Sequence, residues 1–407
     1  NKMAAGFSAQ AEHLLILFFL AALCILQQAL QRKQSWLWIL GAALLAWTVL
    51  IKQNGIFFVG LGMTYVWSQL YLRGDFSLKS FLQKMGLMFC GALIPVLLIG
   101  LQLYRQEALS EMFFWIIEYP RNYIGQYHWE TGWRRFLKNF HRISAGYEVF
   151  WYLAASALLV VLFTKKTKLP TVWLYLLPFF SLLAIVPGFR FYGHYFLLLF
   201  PSLAILVGLA CYLSRYYVPQ RLYPALPLTV IAILVTYSLY QQRSYYFELS
   251  TTELLRSVYQ TNPFQETKLI SDYLEQHSEV GDQVAVWGSE PQINFYTNRK
   301  AASRHNFLLF LMGNTAQTAI WQRELIEETN AASPRYIVDV RHPYSGAINE
   351  KTLPIFHPWR VNYLEAHYKR IGLVEIFKDQ ESRIYWGESA REQAITSPYQ
   401  LIVYERK

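Results

Sequence analysis

Up to Tyr240 the chain is a succession of apolar stretches, at residues 13–27, 36–51, 55–70, 85–103, 149–164, 171–186, 194–213 and 223–240. A helix that crosses a bilayer uses about 17–25 predominantly apolar residues, and these segments meet or approach that length. Hydrocarbon offers no partner to a backbone amide, so segments of this kind span as helices. Only 16% of the residues are charged, against roughly 25% in an ordinary soluble domain, and the deficit falls in this apolar part. The sequence therefore predicts an α-helical polytopic membrane domain of about eight spans over residues 1–243. A small extracytoplasmic α/β domain over residues 244–407 is expected to follow it.

Orientation comes from the short connections. Arg32 and Lys33 follow the first span, Arg73, Lys79 and Lys84 the third, Lys165, Lys166 and Lys168 the fifth, and Arg215 and Arg221 the seventh. Basic residues in such connections mark the cytoplasmic side, so every second connection is assigned there. The opposite face then carries the N-terminus, the Lys52-Gln53-Asn54 hairpin, the loop 104–147, the stretch 187–195 and the C-terminal domain. The expectation is a multi-pass membrane protein with its C-terminal domain outside the cytoplasm. An outer N-terminus without a cleavable signal further predicts that an odd number of helices precedes Asn1, the chain being cut from a longer protein. The formal charge of +10 sits largely in connections, where it meets anionic lipid head groups. In the C-terminal domain the basic residues are not organised with aromatics, so nucleic acid is not expected as a partner. Cys24, Cys90 and Cys211 all fall inside apolar segments and form neither a disulfide framework nor a zinc pattern.

The loop 104–147 is rich in aromatics: Phe113-Phe114-Trp115, Tyr119-Pro120-Arg121-Asn122-Tyr123 and Tyr127-His128-Trp129. Trp and Tyr favour the head-group level, so short interfacial helices are expected here. Arg134, Arg135, Lys138 and Arg142 recur at near-helical spacing; they read as a solvated basic face or as a contact for a phosphate-bearing lipid. In the C-terminal domain, helices are expected at 266–275, 315–329 and 359–368, and strands at 283–287, 335–340, 373–377, 383–386 and 401–404. His305, His342, His357 and His367 are scattered through it and read as surface or satisfied residues.

Charge at the membrane edge is the functional signal. Arg190 and His194 stand in Pro187-Gly188-Phe189-Arg190-Phe191-Tyr192-Gly193-His194-Tyr195, where an apolar helix begins. An ionisable group at membrane depth costs roughly 2.5–3.5 kcal/mol, so it normally has a partner or a task. The bland reading is a snorkelling arginine and a carbonyl-bonded histidine; the sharper one is a site for an anionic group. Glu12 opens the first apolar helix on the same face, where the helix dipole favours a carboxylate. Lys52 sits between two spans joined by almost no loop, again on that face, as a snorkelling cation or a second ligand-facing charge.

Taken together, Glu12 before an apolar helix, the Gly41 to Lys52 hairpin, the Tyr119 to Tyr123 loop and the Arg190 to Tyr195 stretch leading to Pro201 form an ordered set. An outer domain opening with Val284-Ala285-Val286-Trp287-Gly288 and Tyr296-Thr297-Asn298-Arg299 completes it. This order resembles the bacterial glycosyltransferase family 39-like proteins of the GT-C superfamily, relatives of protein mannosyltransferases and of the aminoarabinose transferase of lipid A. The resemblance covers essentially the whole chain. It implies an inverting enzyme that moves a hexosyl or pentosyl unit from a polyprenyl-phosphate-linked sugar to a glycan, lipid or protein acceptor outside the cytoplasm. It also implies that Glu12 is the acidic site residue, with the main catalytic acid in a loop upstream of this chain, which could leave the fragment itself inactive. Arg190, His194 and Tyr195 would meet the donor phosphate, with Lys52, Arg121 and Tyr123 as further substrate contacts. Arg suits phosphate because its fork bonds two oxygens, and a carboxylate suits removal of the acceptor proton. No cofactor is required by this pattern; a divalent metal is compatible with it. Two rival readings stand beside it. One is an oligosaccharide ligase or polymerase with a pyrophosphate-linked donor, the other a lipid or glycan transporter, disfavoured because the spans are apolar in their middles.

Overall fold

A computed structural model describes residues 2–4, 8–32, 34–74, 76–124, 127–163, 171–223, 225–346, 350, 352–378 and 380–407, with backbone only at 2 and 122–124. The expectations placed on Lys33, Lys165, Lys166 and Lys168 lie outside the described residues. The chain divides into two compact units, Asn1–Glu248 and Leu249–Lys407.

The first unit is helical. Its elements are α1 (Ala11–Arg32), α2 (Ser35–Ile51), α3 (Gly55–Leu72), α4 (Leu78–Arg105), α5 (Leu109–Phe113), α6 (Tyr119–Ile124), α7 (Trp129–Ser144), α8 (Glu148–Phe163), α9 (Thr171–Ile185), α10 (Phe200–Ser214) and α11 (Ala225–Gln241). A 3-10 stretch, Gly193–Leu199, leads into α10. Four helices among the described residues are long and apolar enough to cross a membrane: α1, α3, α4 and Gly193–Ser214. A fifth span results if α7 and α8, bent by 107° at their junction, are taken as one. The apolar helices α2, α9 and α11 are shorter. Each of the eight apolar segments thus coincides over most of its described residues with a helix, while helices of spanning length among the described residues number four or five.

Packing follows side-chain size. The α1 helix lies on α2, α2 on α4, α3 on α9 and α8 on α10, around Leu15, Phe19, Leu26, Leu45, Phe58, Leu61, Leu177, Phe196 and Leu206. Close approach needs small residues. A Cβ on Gly91 of α4 would stand 2.2 Å from the Ile39 carbonyl oxygen of α2, and one on Gly55 would stand 2.1 Å from the Thr48 oxygen. Along one side of this packing, α2, α3 and α4 leave an apolar groove of about 580 Å³, whose lining includes Val49, Leu50, Ile56, Phe89 and Leu93. Between α4 and α8 the chain runs through the short helices expected of the aromatic loop, and α7 shows Arg134, Lys138 and Arg142 exposed to solvent, with Arg135 over the Tyr127 ring.

The second unit is a mixed six-stranded sheet, order β2-β1-β3-β6-β4-β5, among the described residues. The strands are β1 (Gln283–Trp287), β2 (Lys300–Ala301), β3 (Tyr336–Arg341), β4 (Tyr368–Ile376), β5 (Arg383–Trp386) and β6 (Tyr399–Arg406). Strands β2, β1 and β3 run parallel; β6 turns antiparallel to β3 and to β4, and β4 to β5. The helices are α12 (Thr251–Tyr259), α13 (Phe264–His277), α14 (Gln292–Thr297), α15 (Ala316–Ala332), α16 (Phe356–His367) and α17 (Gly387–Glu392). Alternation along each strand fills both faces. Val284, Val286, Val338, Val340, Leu401 and Val403 pack with Ile270 and Leu274 of α13, while Ala285, Trp287 and Ile337 pack with Leu325 of α15 and Phe356 and Leu364 of α16. One expectation is corrected here. Tyr368 is the first residue of β4 rather than the last of a helix, because His367 ends α16 and the Tyr368 hydroxyl donates to the buried Pro334 carbonyl.

Beyond the end of β1, Glu290 is buried, and burial holds its carboxyl above the ordinary 4.5, against hydrogen bonds from Gln292 and Ser345. A carboxyl raised in the folded state binds its proton more tightly there, so its stabilisation is full below the unfolded value and is lost as pH rises through the folded one. Glu290→Gln is therefore expected to raise the thermal stability of this unit at neutral pH and to change nothing near pH 4. Melting curves at the two pH values read the difference.

Candidate functional site

Glu12 lies in the first turn of α1 and is 1% exposed, a rare burial for a carboxylate. It is met by Lys52 Nζ, which donates to Oε1, and His194 Nε2 stands 4.0 Å from the same oxygen. These two side chains arrive from distant parts of the chain. Lys52 ends α2 in extended backbone, and the hairpin it begins is closed by the Gly55 amide donating to the Lys52 carbonyl at 2.8 Å. Asn54 reaches the Ala184 carbonyl at 2.5 Å and Gln53 the Ile116 carbonyl at 2.7 Å, so the turn is tied to α9 and to the aromatic loop. His194 is positioned by Gly193, where an added Cβ would come within 2.2 Å of the Met3 carbonyl oxygen. Tyr195 completes the cluster, its ring 4.3 Å from Lys52 Nζ.

Arg190 stands one layer out. Its guanidinium donates to the Tyr192 hydroxyl at 3.1 Å and lies 5.0 Å from the Tyr127 ring. Tyr192 in turn stacks on His194 at 5.8 Å, which links Arg190 to the Glu12 group through one aromatic ring. The backbone here is unusual: Gly188, Phe189 and Phe191 have φ of 75°, 50° and 46°. Left-handed backbone costs a bulky residue on the order of 1–2 kcal/mol, and such residues cluster where the surrounding structure fixes a functional group. Two neighbours hold the stretch: the Asn139 amide donates to the Phe191 carbonyl at 2.8 Å, and Gly132 of α7 presses on Phe189, leaving no room for a Cβ. Beside it, Trp129, Trp133, Phe136, Leu182, Phe189 and Phe191 line an apolar recess of about 380 Å³.

The two ends of the helical unit differ in character. Arg73, after α3, donates to the Leu30 carbonyl at the far end of α1. At about 1.5 Å per residue, the 22 residues of α1 separate this basic end from Glu12 by roughly the thickness of a hydrocarbon core.

Of the residues singled out in the sequence, Glu12, Lys52, His194 and Tyr195 meet, and Arg190 adjoins them. Arg121 is exposed on α6, which packs near the Pro187–Phe189 turn; the side chain of Tyr123 lies outside the described residues. Sequence reading missed Tyr127 and Tyr192 as partners of Arg190, although both stand in the aromatic runs it noted. It also missed a charged cluster in the second unit, whose signal was an aspartate inside the apolar strand Ile337-Val338-Asp339-Val340. There Asp339, 0% exposed, accepts from Arg341 Nε and Arg360 Nη1, each at 2.9 Å. His342 is buried with both ring nitrogens engaged, by the Thr261 hydroxyl and the Tyr344 amide, as a satisfied residue should be. Among the described residues no three His, Cys, Asp or Glu side chains are placed to hold a metal ion, so no metal is given a role. No family model matches the chain, and no curated protein matches it.

Proposed function

We propose that the chain is part of a membrane glycosyltransferase of the GT-C type, which moves a sugar from a polyprenyl-phosphate donor to an acceptor outside the cytoplasm. The observation that carries the reading is the meeting of a buried carboxylate, an ammonium, an imidazole and a tyrosine at one end of an apolar helical unit, with a guanidinium in the next layer. Inverting transfer breaks the bond between the anomeric carbon and the phosphate oxygen while an acceptor oxygen attacks and passes its proton to a carboxylate base. The departing phosphate gains charge, and preorganised cations at that point lower the barrier. In this reading Arg190, His194 and Lys52 face the phosphate, and Glu12 keeps Lys52 aimed. The aromatic recess beside Arg190 suits the first isoprene units of the carrier.

The finer topology belongs to the same reading. Counting the shorter helices α2, α8, α9 and α11 as spans gives eight, and the alternation of basic connections puts Glu12, Lys52 and the C-terminal unit on the non-cytoplasmic side of a bacterial inner membrane. Transfer is measured in membranes carrying the full-length protein, with a labelled polyprenyl-phosphate sugar. Arg190→Ala is expected to lower turnover by roughly a hundredfold, the usual effect of losing one charge-stabilising donor, with the protein still present at its normal level. Unchanged turnover would remove the assignment, and turnover with a pyrophosphate-linked oligosaccharide alone would replace it by a ligase.

A further inference from the structure

The second unit carries a charged recess that the membrane site does not use. It is a cavity of about 260 Å³ lined by Arg341, Arg360, Val361, Leu364, Tyr368 and Tyr404, with Glu365 at its exposed rim. At liquid volume that is room for roughly nine waters. Two guanidiniums enter it from different elements, Arg341 from the carboxyl end of β3 and Arg360 from the middle of α16. Behind them Asp339, fully buried, bonds both. Glu365 also lines the cavity, from its exposed side, so carboxylates match guanidiniums in number and an anion would be held through unused donors rather than by net charge.

Several donors remain unused. Arg341 spends its Nε on Asp339 and has no other hydrogen bond among the described residues, while its side chain is 37% exposed. Arg360 spends Nη1 on Asp339 and pairs Nη2 with His357 Nδ1 at 3.3 Å; its Nε is buried with no partner among the described residues. Burial, and then the neighbouring Arg360, hold the His357 imidazole below its ordinary value, so it is neutral at pH 7 and accepts rather than competes for an anion. A lone structural ion pair needs one arginine; the second, half-open guanidinium is left over from that account.

We propose that this recess binds a phosphoryl group, as inorganic phosphate or as a phosphomonoester whose substituent lies on Val361, Leu364 and the tyrosine rings. Guanidiniums on two elements can each bond different oxygens of a tetrahedral anion, whereas a planar carboxylate fills a single fork. Asp339 holds the pair in place before the anion arrives.

The test uses the full chain in detergent at fixed ionic strength, titrated by calorimetry with inorganic phosphate, with glycerol 1-phosphate and with acetate. Vesicles of phosphatidic acid, compared with phosphatidylcholine, ask in parallel whether the phosphoryl group comes from a lipid. Saturable binding of phosphate, of glycerol 1-phosphate or of phosphatidic acid vesicles is expected, with the arm that binds best naming the source. Arg341→Gln is expected to weaken it at least about tenfold with an unchanged melting curve, and Asp272→Ala, at an exposed pair outside both sites, to leave it alone. Arg341 is partly exposed, so its variant remains informative even where Arg360→Gln does not fold. Binding that survives Arg341→Gln, binding of acetate as tight as phosphate, or no saturable binding in any of the three phosphoryl arms would overturn the proposal. The readout is binding without any sugar donor and turns on Arg341, whereas the transferase reading turns on Arg190 and turnover, so the two failures give different results.

Discussion

Lys52→Met in the purified chain is expected to destabilise the helical unit by about 3 kcal/mol, and adding Glu12→Gln to it is expected to return most of that loss. The reason is an asymmetry between partners. Glu12 is 1% exposed and the Lys52 side chain is 25% exposed, so removing the lysine strands a charge that water cannot reach, while removing the carboxylate leaves an ammonium that can extend toward the interface. Glu12→Gln alone is therefore expected to be the milder single substitution. Thermal unfolding of the four proteins in one detergent gives the cycle directly. A harmless Lys52→Met would mean that the carboxylate has another counter-charge, and Glu12 would then lose its place as the group that orients Lys52.

The second large effect belongs to the soluble unit. Asp339→Ala leaves Arg360, 8% exposed, without its carboxylate, at about 3–5 kcal/mol. For a unit of this size the melting temperature falls by roughly 6–20 °C. Asp272→Ala, which removes an exposed partner of Lys268 within one helix, is expected to change stability by no more than about 0.5 kcal/mol. Hydrogen exchange at the β3 amides distinguishes the two. Equal protection in both variants would show that the buried carboxylate is not what anchors the strand end.

Period and length made most elements legible. The strands at 283–287 and 383–386 stand at the residues expected, because alternation and apolar density there coincide with turn residues on both sides. The helix expected at 315–329 begins one residue later, since Thr315 is its cap rather than its first turn. The two-residue β2 and the short helices α14 and α17 were invisible, being too brief to carry a period. The segment expected to be helical from 194 starts instead as a 3-10 stretch up to Leu199, and apolar composition does not distinguish the two. At the candidate site, the charged residues stood out because they are expensive in an apolar context. Their aromatic partners Tyr127 and Tyr192 did not, since a tyrosine near a membrane surface is ordinary. Arg341 and Arg360 were hidden for a different reason: their meeting depends on how α16 crosses the sheet, which no local pattern encodes.

The left-handed run around Arg190 has a consequence for affinity. A long arginine side chain on a relaxed loop gives up backbone and rotamer freedom each time it grips a ligand. With Phe189 and Phe191 left-handed on either side, the backbone share of that ordering is completed during folding, so under the proposed function an anion at Arg190 would keep more of the free energy of contact.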